Sequence, residues 1–114
     1  MCSSDLAMGR RMGLGQSYSA GIAPLAVGVM PTPSWKRGKL GRPWLGGETL
    51  IAGIGQGYVL TSPLQLAVMT ARAATGLAVT PTFVRPPLGE SRVPFARLDI
   101  SERNLRAEIG RAHV

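Results

Sequence analysis

The chain has 114 residues, a formal charge of +7, and 45% apolar but only 5% aromatic residues. Such a length suits one small domain or a piece of a larger one, and the apolar share is that of a globular protein. The 15 Gly and 9 Pro lie between ordered-looking segments, which excludes a low-complexity chain, and no apolar run is long enough to cross a bilayer.

The two ends are related through the genetic code. Met1 to Leu6 can be written GTG TGC TCT TCC GAT CTC, with GTG as an alternative start codon. Its reverse complement, GAG ATC GGA AGA GCA CAC, encodes Glu108 to His113. Residues 1–6 and 108–114 therefore read as translated sequencing adaptor, to be set aside as a tag or fusion scar would be. Residues 7–107 then carry 12 basic and 4 acidic residues, with neither Cys2 nor His113. A thiol nucleophile, an imidazole base and a Cys/His metal site are excluded from that stretch, and no cofactor is expected.

In chain order, "AMGRRMGLGQ" (7–16) reads as the last turn of a helix stopped at Gly13 or Gly15. Residues 17–47 hold Pro24, Pro31, Pro33 and Pro43 among many glycines and are expected to be loop. Within it, Trp35 and Trp44 bracket the basic run "KRGKLGR", anchoring it while Lys36, Arg37, Lys39 and Arg42 stay in water. The clearest helix spans 62–75. Ser62 is its N-cap, Pro63 its first residue, Gln65 completes a capping box, and Gly76 ends it. Leu64, Ala67, Val68, Ala71 and Ala74 line one face, and Leu66, Met69 and Ala73 make a second face apolar. A helix apolar nearly all round belongs inside a protein, covered on both sides, and a chain this rich in loop lacks the material to cover it. "LAVTPTFV" (77–84) alternates as a short strand that Pro81 demotes to an edge, "RPPLGESRVP" is loop, and Ser101 caps a further helix.

"GIGQGY" (53–58) invites a phosphate-loop reading but places Tyr58 where the dinucleotide fingerprint needs glycine, and no G-K-[ST] accompanies it. Gly53, Gly55 and Gly57 instead permit close approach of another backbone or a positive φ, with Gln56 offering its amide to buried backbone groups. Glu48, the only acid between 7 and 89, is expected to pair with a nearby arginine.

"PSWKRGKLGRPWLGGETLIAGIGQGYVLTSPLQLAVMTARAATGLAVTP" resembles the penicillin-binding protein 2 family of class B peptidoglycan D,D-transpeptidases, the enzymes of bacterial cell elongation. W-K-R, P-W-x-G-G-E-T, G-I-G-Q-G-Y and S-P-L-Q-L-A at this spacing carry the likeness, which runs from about Met8 to Leu105. "SAGIAPLAVG" departs from the acidic text usual there and keeps only Gly21, Ile22 and Pro24. The resemblance implies an α+β transpeptidase fold, an antiparallel sheet packed between helices, with residues 7–107 between the second and third catalytic motifs. Family catalysis uses S-x-x-K, S-x-[ND] and K-[ST]-G. None is in this chain: Ser34-Trp35-Lys36 is one residue short, Ser3-Ser4-Asp5 falls in the adaptor, and Lys36-Arg37-Gly38 has the wrong middle residue. Gly55, Gln56, Gly57 and Tyr58 become a scaffold beneath the active-site cleft.

By the same resemblance the full-length enzyme takes peptidoglycan stem peptides and β-lactams. It works with a glycosyltransferase and scaffold proteins of the elongation complex, and it faces the periplasm from a single membrane anchor. Nucleic acid is not an expected partner. A competing reading is a small basic protein that holds nucleic acid or anionic lipid through residues 35–44; a third is a truncated reading frame without function. Adaptor-trimmed resequencing of the locus separates them: the frame is expected to extend upstream into S-x-x-K and S-x-[ND] and downstream into K-T-G. Genomic codons at both ends would overturn the transpeptidase-segment reading.

Overall fold

The computed structural model describes residues 2–19, 25–84 and 94–111. Five helices follow one another: α1 (Cys2–Arg11), α2 (Pro33–Leu40), α3 (Gly46–Gly53), α4 (Pro63–Thr75) and α5 (Glu102–Arg111). Among the described residues, β pairing is confined to two isolated antiparallel bridges, Val29 with Leu60 and Leu77 with Arg97.

Helix α4 forms as its sequence dictates. Ser62 Oγ accepts the Gln65 backbone N–H at 3.3 Å, Gln65 Oε1 accepts the Ser62 N–H at 3.3 Å, and Gly76 closes the helix at φ 68°. Its packing differs from the expected apolar stripe. The buried residues of α4 are Gln65, Val68 and Arg72, while Leu66, Ala67 and Ala74 are exposed. Two of the four polar residues that interrupt the apolar pattern, Gln65 and Arg72, thus point inward, because neighbouring loops present carbonyls that need donors. Gln65 Nε2 donates to the carbonyls of Gln16 (2.8 Å) and Val27. Arg72 donates from Nε to the Val79 carbonyl at 3.1 Å and from NH1 to the Arg11 carbonyl at 2.7 Å, the latter at the carboxyl end of α1 where helical carbonyls lack partners.

The chain leaves α1 through Gly13 at φ 101°, a position that glycine alone fits. A Cβ there would lie 2.5 Å from the Tyr18 hydroxyl, which donates to the Gly13 carbonyl at 2.9 Å. The glycine stop expected for 7–16 is therefore present, and α1 extends back across residues 2–6 and buries Leu6.

Residues 17–47 are not all loop. Thr32 caps α2 by accepting the Trp35 N–H, Pro33 opens it, and Gly41 at φ 64° ends it. Pro33 sits at the first position of α2, and Pro31 and Pro43 lie outside the helices, where the missing N–H costs nothing. The strand expected over 77–84 contracts to the Leu77 bridge. The Val79 N–H turns back onto the Leu77 carbonyl, the Val79 carbonyl is taken by Arg72, and Pro81 offers no donor. Ser101 Oγ accepts the Asn104 N–H and starts α5, which packs Leu105 near Gly76 at the end of α4. Gly21, Ile22 and Pro24, the residues that keep the usual text there, and most of the loop over 85–94 lie outside the described residues.

Among the described residues, only Leu6 and Val68 are buried hydrophobic side chains, while Lys36, Gln65 and Arg72 are buried polar ones. Leu50 is 76% exposed and Ile54 71% exposed. The radius of gyration is 16.1 Å, against about 13 Å for a compact domain of this length. So little apolar burial cannot offset chain entropy by itself.

The Gln65 clamp makes a prediction. Gln65→Ala orphans the Gln16 and Val27 carbonyls and removes half of the capping box. In the protein that carries this segment it should cost about 2–4 kcal/mol of unfolding free energy. Thr70→Ala, at an exposed position on the same helix, should cost under about 0.5 kcal/mol in the same denaturant titration.

Candidate functional site

The expected scaffold residues sit just beyond α3. Gly55 and Gly57 have φ of 73° and 72°, so the chain turns back at these two positions. The Gly55 N–H donates to Ala52 and the Gln56 N–H to Ile51, both at 3.0 Å, folding the turn onto the end of α3. Of close approach and positive φ, the latter applies at Gly55 and Gly57, and neither applies at Gly53, the last residue of α3. A Cβ on Gly53 or Gly55 would meet nothing within 4 Å, and one on Gly57 would touch only Ile51. Gln56 is exposed rather than turned toward buried backbone, because the turn points it into solvent.

Tyr58 brings the turn into contact with α2. Its ring lies 5.6 Å from that of Trp35, tilted by 55°, and the Lys36 ammonium stands 5.9 Å from its centroid. Lys36 is 3% exposed, against the expectation that the whole run from Lys36 to Arg42 stays in water. Once α2 is helical, Lys36 falls on its inner face, whereas Arg37 and Lys39 fall outside. The ammonium is matched by Glu48, so the acid expected to pair with an arginine pairs with Lys36 instead. Its other oxygen, Oε2, accepts the Leu45 N–H at 2.7 Å and caps α3. Trp44 Nε1 donates to Thr49 Oγ1 at 3.0 Å on the adjacent turn.

The backbone N–H of Leu45, and after it the Lys36 ammonium, hold the Glu48 carboxyl below its ordinary pKa. Tyr18 is moved the opposite way: burial raises its phenol, with the Arg72 charge working against that shift.

Beside this cluster lies an apolar cavity of about 530 Å³, lined by Leu14, Met30, Ile54, Val59, Leu66 and Met69 among others. Ser34 bonds Thr32 at 3.0 Å and Lys36 is engaged by Glu48, so the near-miss Ser34-Trp35-Lys36 is structural. Among the described residues no group of three His, Cys, Asp or Glu gathers, and no helix is long and apolar enough to cross a membrane.

The chain's likenesses agree with this geometry. The peptidoglycan D,D-transpeptidase MrdA of Acinetobacter baumannii is 37% identical over 81 residues, covering 70% of this chain and 12% of that protein. Its Haemophilus influenzae counterpart is 40% identical over 58 residues, 51% of this chain and 9% of that protein. Among solved structures, penicillin-binding protein 2 of Pseudomonas aeruginosa, in complex with WCK 5153, superposes with a TM-score of 0.76 at 33% identity, over 91% of this chain and 24% of that one. The Helicobacter pylori protein, solved with MreC, gives 0.72 at 26% identity, over 93% of this chain and 22% of that one. No family model matches the chain.

These likenesses define a segment of a peptidoglycan transpeptidase domain, the helical portion of an α+β fold. The particular enzyme that it resembles in both sequence and structure is penicillin-binding protein 2. The segment spans about an eighth of the length of the curated relative from Acinetobacter baumannii.

Glu48 carries a pH prediction. Its folded-state pKa is lowered, so the stability that it adds is fully present above the ordinary value of 4.5 and is lost as pH falls through the lowered one. Glu48→Gln keeps an acceptor for the Leu45 N–H but leaves Lys36 unmatched. In the full-length protein that carries this segment it should melt below the parent at neutral pH, with the gap narrowing on acidification below 4.5. A gap that stays constant with pH would contradict this assignment.

Proposed function

We propose that this chain is the part of a serine D,D-transpeptidase that lies between its second and third catalytic motifs, and that it supports the active-site wall. The observation that carries the reading is the mismatch between the two sides of α4. Gln65 and Arg72 are buried against the segment's own loops, while Ala67 and Ala74 are exposed and Leu66 faces the apolar cavity. A surface built that way is completed by further protein, and the likeness to a quarter of the Pseudomonas aeruginosa enzyme supplies the amount.

In the complete enzyme, the nucleophilic serine, outside these residues, attacks the carbonyl of the penultimate D-alanine of a stem peptide. The serine proton passes to the neighbouring lysine, the peptide C–N bond breaks, and the terminal D-alanine leaves with a proton. An amine from a second strand then attacks the acyl-serine, forming the cross-link and restoring the hydroxyl. β-Lactams acylate the same serine. This segment contributes no reacting group; Gly55, Gln56, Gly57 and Tyr58 hold the cleft from beneath. The enzyme is placed on the periplasmic side of the cytoplasmic membrane by an anchor outside these residues. Its partners are a glycosyltransferase and scaffold proteins of the elongation complex, a reading supported by the MreC complex of the Helicobacter pylori relative. The competing nucleic-acid or lipid reading loses one of its cations, since Lys36 is buried.

Labelled penicillin tests the proposal. The 114-residue chain should take up no covalent label and should show no cooperative melt, whereas the full-length enzyme should be labelled on serine. Stoichiometric acylation of the isolated chain would overturn it.

A further inference from the structure

We propose that Lys36 is a positioning residue: through Glu48 and Tyr58 it orients the Gly55–Tyr58 turn, and so sets the acylation rate of the enzyme that carries this segment. The inference rests on the transpeptidase reading above and adds to it a residue outside the catalytic motifs.

The charges on α2 are unbalanced. This helix holds three cations and no acid, and two of the three, Arg37 and Lys39, remain in water. Only Lys36 goes inside, where removing an ammonium from water costs several kcal/mol before any partner repays it. A buried ion pair is a weak device for stability, since well-packed apolar residues of similar volume do as well. What an ion pair adds is direction.

Here that direction is spent on two points of one neighbour. Glu48 divides its oxygens, giving Oε1 to Lys36 and Oε2 to the Leu45 N–H. This fixes the amino end of α3 to α2. At the other end, beyond Gly53, the Lys36 ammonium faces the Tyr58 ring, whose other neighbour is Trp35 of the same helix. Both attachments meet at the Lys36 ammonium, with the Trp35–Tyr58 ring contact beside it, so the start of α3 and the turn that follows it are tied to α2 at one cluster. Gly55 and Gly57 determine the turn's shape through their φ angles. A Cβ built at position 55 would meet nothing within 4 Å and one at 57 only Ile51 of α3, so apart from the backbone bonds to α3 neither glycine is held by close approach of another element. Orientation therefore comes from the contact with α2, and the charged centre of that contact is Lys36.

The test uses the full-length transpeptidase and a fluorescent penicillin, with labelling followed at several concentrations to separate non-covalent affinity from the acylation rate at saturation. Lys36→Met combined with Glu48→Gln removes both charges and keeps the α3 cap. Tyr58→Leu removes the ring and leaves the ion pair. Both are expected to lower the saturating acylation rate about tenfold while affinity changes less than about twofold, and Tyr58→Phe is expected to retain the parent rate. A double variant that melts cooperatively and acylates at the parent rate would overturn the proposal. If the double variant does not fold, Tyr58→Leu decides, and an unchanged rate there overturns it equally. A parent enzyme that takes no label overturns the transpeptidase reading, and this proposal with it.

Discussion

Backbone carbonyls withdrawn from water must find donors, and here the donors come from one helix. Gln65 uses all of its amide: Nε2 on two loop carbonyls, and Oε1 on the Ser62 N–H with the Thr61 hydroxyl beside it. Two turns along, Arg72 repeats the pattern with carbonyls from α1 and from the stretch after α4. The bridge between Val29 and Leu60 forms next to this clamp, and Gly28 is held there so closely that a Cβ would lie 2.4 Å from the Leu60 carbonyl oxygen. Remove the clamp and the loops lose their shared reference.

With Gln65 and Arg72 turned inward beside Val68, Leu66, Ala67 and Ala74 of α4 are left on the outside. In a free-standing domain that arrangement is upside down; within a larger one it is economical. The segment uses hydrogen bonds, which are directional, to organise itself, and leaves apolar area of α4 uncovered. Lys36 and Glu48 follow the same rule on the other side of the cavity, as a directional pair between α2 and α3 in place of an apolar contact.

How much of this was legible in the sequence varies with the kind of signal. α4 could be read in full, because Ser62, Pro63, Gln65 and Gly76 are local instructions that no neighbour overrides. α2 carried comparable instructions in Thr32, Pro33 and Gly41, but the density of proline and glycine around them pointed to loop. α3 begins with two glycines behind a Leu45 cap without a side-chain bond, and only Glu48 at its third position hinted at a helix. The inward turn of Gln65 and Arg72 was not legible. Periodicity ranks residues by their polarity, and which loop carbonyls would be nearby is a property of the fold. Positive φ at Gly55 and Gly57 was one of two readings for those glycines, and the pairing of Lys36 with Glu48 had to wait until both helices were in place.

The clamp also imposes a timetable on synthesis. Gln65 lies 49 residues after Gln16, and Arg72 lies 61 after Arg11. At the usual pace of translation, roughly 5–20 residues per second, the end of α1 waits some 3 to 12 s for its guanidinium. Until then α1 and the loops that follow emerge as solvated chain with nothing to fasten them. The keystone arrives late, and the parts made before it stay open to chaperones, proteases and neighbouring chains in the interval.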